Sequence, residues 1–142
     1  VTESISLNGT NQGASNSLSI ASIAEISKRI VNVPASEVEV VAMSTAVSSG
    51  TFIESTVKYM RFTNLDDTNH IVLTFKSEGS AEFAVVVDKG QSFIYNGDVS
   101  GGVVNTMDAS ASALTVSLED LVDVTANADT AACDMEIFVA ST

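Results

Sequence analysis

The chain has 142 residues, and 6 Lys and Arg stand against 18 Asp and Glu, a formal charge of −12 and a pI near 4.1. That balance argues against nucleic acid and anionic lipid as partners, since both are held by clustered cations; Lys28, Arg29, Lys58, Arg61, Lys76 and Lys89 are scattered, with only the first two adjacent. Hydrophobic residues make up 45% of the chain, enough for one core at this size, yet no run reaches the roughly 18 apolar residues of a membrane-spanning helix.

The opening VTESISLNGTNQGASNS is polar and small, with Ile5 and Leu7 its large apolar residues beyond Val1. It lacks the basic and apolar regions of a signal peptide. Residues 1–17 are expected to form a polar arm and residues 18–142 a single domain. Asn8-Gly9-Thr10 matches a glycosylation sequon, but Asn-Gly also makes a turn unaided, and the turn is the expectation here.

Residues 19–26 are open between helix and strand: Ile23, Ile26 and Ile30 have helical spacing, whereas the β-branched run to Val33 ends at Pro34, which forces extended backbone before it. A strand is expected from Ile26 to Val33. In EVEVVAMS, alternation points Val38, Val40 and Ala42 inward. In TVKYMRFTN, Met60 and Phe62 share one face, with Val57, Tyr59 and Arg61 on the other. After the LDDTN turn, Ile71, Leu73 and Phe75 alternate with His70, Val72, Thr74 and Lys76. Phe83, Val85 and Val87 follow on one face, and Gly90 in DKGQ supplies a left-handed corner before SFIYNG.

From Asp98 to Ala113 the pattern gives way to a Gly/Ser/Ala-rich loop holding Val103, Val104 and Met107. Loops this long are functional or disordered more often than not. LTVSL, LVDVTANA and the closing CDMEIFVAS read as strands. In the last, Cys133 shares a face with Met135, Ile137 and Val139, so this lone cysteine, which has no internal disulfide partner, is expected as a small buried hydrophobe. Eight or nine short strands with turns every eight to twelve residues predict an all-β, antiparallel β-sandwich, jelly-roll or immunoglobulin-like, with an extended N-terminal arm.

No catalytic set accompanies these strands. His70, the one candidate base, starts a strand and is expected to face solvent, and no nucleophile motif, C-x-x-C pair or Gly-rich phosphate loop is present. Asn64, Asp66, Asp67 and Asn69, or Glu119, Asp120 and Asp123, carry oxygens that Ca²⁺ favours; neither set has EF-hand spacing, and Asp and Asn are ordinary turn residues. No catalytic residue, metal ligand or cofactor is assigned. What remains is interaction. Ile5, Leu7, Val103, Val104 and Met107 are expected in contacts between chains, although the same loop valines and methionine would equally cap an open end of the sandwich.

The segments KRIVNVPASEVEVV, VKYMRFTNLDDTNHIVLTF, VVVDKGQSFIYNG and MEIFVAST resemble small β-sandwich structural proteins of tailed-phage virions. The residues that carry the resemblance are Lys58, Tyr59, Arg61 and Asn64, then Gly90 and Phe93, then Glu136 to Val139, and it spans residues 26–97 and 133–141. Asp88-Lys89-Gly90 stands where those proteins have a Pro-x-Gly-like turn. The resemblance implies a non-enzymatic virion component on the outer capsid surface, made in the host cytoplasm. Foremost it implies a capsid decoration (cement) protein that forms a trimer or dimer and bridges subunits of the major capsid protein or another virion protein. A tail or head-fibre receptor-binding module, with Ca²⁺ dependence as an option, is the alternative. Neither role involves nucleic acid or membrane.

Overall fold

The computed structural model describes residues 4–104 and 117–142. Its strands in chain order are β1 (Ser6–Leu7), β2 (Thr10–Asn11), β3 (Glu25–Val33), β4 (Val38–Ser44), β5 (Phe52–Ile53), β6 (Val57–Asn64), β7 (Ile71–Ser77), β8 (Glu82–Val87), β9 (Ser92–Asn96), β10 (Val103–Val104), β11 (Leu118–Glu119), β12 (Leu121–Ala128) and β13 (Cys133–Ser141). Nine of them build two facing sheets, one ordered β5-β4-β12-β7-β8 and the other β3-β13-β6-β9. The pairs in these sheets are antiparallel except for the short β4–β5 pair. The molecule is an all-β sandwich, as its alternating pattern predicts.

The core lies between the sheets and follows the period of two. Ile71, Leu73 and Phe75 of β7 are fully buried against Met60 and Phe62 of β6 and Met135, Ile137 and Val139 of β13. Cys133 is buried in the same layer, and that burial, with the acidic Asp66 beside it, raises the thiol above its ordinary range. Pro34 ends β3 just after the buried Val33, because a residue before proline is held extended and the ring has no N–H to continue a ladder.

Two expectations from alternation fail, both at bulges. Against β12 the register jumps from Val41 to Glu39, so Val40 is an extra residue. Val40 and Val41 are then both buried, and Met43 takes the inward place expected for Ala42. On β6 the pairing with β13 skips Lys58, which turns Val57 into the core rather than outward. A bulge inserts one residue and shifts the facing of those on one side of it.

The turns obey their residue chemistry. Asn8 and Gly9 have φ of 52° and 78°, the paired positive values of a two-residue hairpin turn between β1 and β2. Gly90 provides the expected left-handed corner at φ 66°. There the chain leaves β8 in one sheet and enters β9 in the other.

Candidate assembly surfaces

The arm expected from the sequence carries the small β1–β2 ribbon. Asn11 Oδ1 accepts from the Ile5 and Gly13 amides at 3.1 and 2.9 Å, and the Gln12 amide donates to the Ile5 carbonyl at 2.6 Å. The ribbon leaves its apolar side chains uncovered: Ile5 is 57% and Leu7 62% exposed, and Leu18 further along is exposed too.

Val103 and Val104 part company. They form β10, paired with β11 through Val103–Glu119 and Val104–Leu118. Val103 is only 3% exposed and joins the core cluster, while Val104 is 39% exposed. Within the single chain the Val103 side chain is thus covered, while Val104 stays partly open. Just before Val103, the Tyr95 hydroxyl donates to the Gly102 carbonyl at 2.9 Å. Met107 lies outside the described residues, as do Leu114 and Val116 of the expected LTVSL strand.

A surface that sequence reasoning missed lies on the four-stranded sheet. β3 is the end strand of that sheet and nine residues long, and Ile26 and Ile30 are 61% and 60% exposed. The pairing registers place Ile26, Lys28 and Ile30 on the outward face with Phe138, Tyr59 and Ile94. Tyr59 meets the Phe138 ring edge-on at 5.9 Å, and the Arg61 guanidinium lies over the same ring at 5.4 Å. Glu136 accepts from Lys28 at 2.9 Å and Arg61 at 2.6 Å, and these two cations, Lys28 first, hold its carboxyl below the ordinary range.

Charge is uneven across the molecule. Lys28 and Arg29 on β3 and Lys58 and Arg61 on β6 are four of the six basic residues. The five-stranded sheet has an acidic outer face: Glu37 binds Lys76 and Thr125, each at 2.6 Å, while Glu39, through burial and then Asp123, has a raised pKa. The strands of the four-stranded sheet thus bring acids and bases close to balance, with Glu25, Asp134 and Glu136 against the four cations of β3 and β6.

Between β3 and β5 the sandwich stays open. A cleft of about 470 Å³ lies there, with Glu25, Ser27 and Arg29 on one wall and Val47, Phe52 and Ile53 on the other. Arg29 bridges its end by donating to the Val40 carbonyl.

The chemical candidates from the sequence are spread apart or spent on local structure. His70 Nδ1 stands 3.8 Å from Asp129, with both side chains well exposed. Asp66 Oδ1 accepts from the Thr68 and Asn69 amides at 2.8 and 2.6 Å, which holds that carboxyl low, and Asn64 donates to the Asn69 and Val87 carbonyls. These are the bonds of a turn. Asp120 takes the Gly101 amide, Glu119 the Ser77 hydroxyl, and Asp123 sits by Glu39. Among the described residues no group of three or more His, Cys, Asp or Glu is arranged to hold a metal ion.

No protein family matches the sequence, and no curated protein does. Among solved structures, the chain is similar to one from the Bacillus endospore appendages, a family of disulfide-linked pili, at 16% identity and a TM-score of 0.43, over 89% of this chain and 98% of that one.

Proposed function

We propose that this chain is a non-enzymatic structural protein that assembles with other protein chains through the edge and outer face of its four-stranded sheet. One observation carries the reading: β3 is an edge strand of full length with Ile26 and Ile30 exposed, on the sheet where the chain's basic residues gather. Edge strands are ordinarily kept short, covered or twisted away because they template pairing. Here the edge is long and continues into an exposed apolar face.

Within that class the finer assignment is a capsid decoration protein on the outside of a virion, resting on the resemblance of residues 26–97 and 133–141. Ile5 and Leu7, with Val104 and Met107, are then secondary contacts to the capsid or to neighbouring copies. Several weak contacts made together in an oligomer give firm attachment.

The test is to isolate the particle with which the chain co-purifies and to weigh it. A large protein shell studded with the chain supports the reading, and recovery as a lone soluble protein contradicts it. Deleting residues 1–17 should reduce attachment to that particle while leaving thermal unfolding of the isolated sandwich nearly unchanged. Unaltered attachment would remove Ile5 and Leu7 from the contact set.

A further inference from the structure

We propose that two copies of this chain pair antiparallel through β3, with Ser27 on the two-fold axis, so that Glu25 faces the partner's Arg29 and Arg29 faces the partner's Glu25. The inference rests on the reading of the chain as an assembling module and specifies the first contact it makes.

The occupant follows from the strand itself. A two-fold contact presents the same surface from both sides, so it requires a strand that complements itself. In β3, Glu25-Ile26-Ser27-Lys28-Arg29 places an acid and a base four residues apart on the same side, since side chains two and four apart share a face. Glu25, Ser27 and Arg29 line one wall of the cleft together, which locates them on the inner side. Antiparallel pairing about Ser27 brings the two ends of that unit into register twice.

Other registers do worse. Centring on Lys28 sets Lys28 against the partner's Lys28, and centring on Arg29 sets two guanidinium groups opposite each other. Like charges directly across a pair of strands are destabilising. Centring on Ile30 matches no opposite charges and draws on Val31 and Val33, the half of β3 that packs towards its own core. A register centred between residues would set inner faces against outer ones. About Ser27, each exposed Ile26 also lies beside the partner's Lys28, whose aliphatic stem covers apolar surface while its ammonium stays in water. The product is one continuous sheet of eight strands.

The full chain is examined by native mass and by cysteine cross-linking. The expected mass is twice the 14.7 kDa of one chain. Glu25→Arg or Arg29→Glu alone places like charges opposite at both ends, raising the dissociation constant roughly ten- to a hundredfold. The double variant Glu25→Arg/Arg29→Glu restores the dimer. Arg29→Glu also removes the bond to the Val40 carbonyl; Glu25→Arg and the restoring double variant keep the test independent of that loss. Under mild oxidation Ser27→Cys should cross-link two copies, and Lys28→Cys, Arg29→Cys and Ile30→Cys should not. A monomer at all concentrations, a dimer indifferent to both reversals, or cross-linking at Ile30→Cys in place of Ser27→Cys overturns the pairing. Attachment of a monomeric chain to its particle would overturn this pairing alone. A clean dimer that never joins a particle would overturn the wider reading and leave the pairing standing.

Discussion

The two flanks of the sandwich are finished in opposite ways. At the β8–β9 flank, Phe75 stacks on Phe83 at 4.7 Å, lies 5.3 Å from Phe93 and 5.8 Å from Tyr95, and meets Phe62 edge-on at 5.9 Å. Val103 and Gly102 then close that side over the rings. At the β3–β5 flank the edge strand is long, the opposing strand has two residues, and a cleft separates them. Aromatic pairs add stabilisation beyond the area they bury, so the first flank holds the domain together. The second leaves Ile26 and Ile30 uncovered on the outer side of β3, an exposure that makes sense when another chain covers them.

This contrast is sharpest under substitution. Phe75→Ala should cost about 3–5 kcal/mol, the range for emptying a fully buried aromatic site, measured by denaturant unfolding. A loss under about 1 kcal/mol would mean the aromatic cluster is not the anchor described. Gly102→Ala comes next. A methyl there would fall on the Tyr95 hydroxyl and against the Asp98 carbonyl, so Val103 and its loop must shift, at about 1–3 kcal/mol, the usual scale of overpacking. On the open flank the expectation reverses: Ile26→Thr with Ile30→Thr should change unfolding of the isolated chain by no more than about 0.5 kcal/mol. The same pair should abolish assembly in a sedimentation assay.

The smallest effect concerns the acidic face. Burial and Asp123 raise the Glu39 pKa, so the folded chain binds more protons than the unfolded one through that range, and stability falls as pH rises through it. Asp123→Asn should therefore raise Tm by about 1–2 °C at neutral pH, the scale of an exposed charge pair. The gain should fade once pH drops below the ordinary carboxylate range, as a pair of thermal scans would show. A gain that persists in acid would place its origin elsewhere.

The closed flank was largely legible in the sequence because its cause is local. Period-two alternation in Ile71–Phe75 and Phe83–Val87 marks inward faces without reference to any other strand, and Asn8-Gly9 and Gly90 announce their own turns. The bulges at Val40 and Lys58 were not legible, since an extra residue shows only against a partner's register. The open flank was hidden for a related reason. Ile26 and Ile30 share one face of a strand, but whether that face meets the core or the outside depends on β13 and β6, which lie far along the chain. The burial of Val103 was not legible either: a valine in a Gly-rich loop has no periodicity, and the neighbouring Tyr95–Gly102 bond joins residues whose proximity no local pattern announces.

Hydrogen–deuterium exchange of the chain, alone at low concentration and in its assembled state, tests the central claim most directly. On assembly, amides of residues 25–29 should gain protection at the β3 rim, while those of β8 and β9 keep their rates. Unchanged exchange over residues 25–29 in a verified assembly, or new protection confined to the β8–β9 flank, would contradict it.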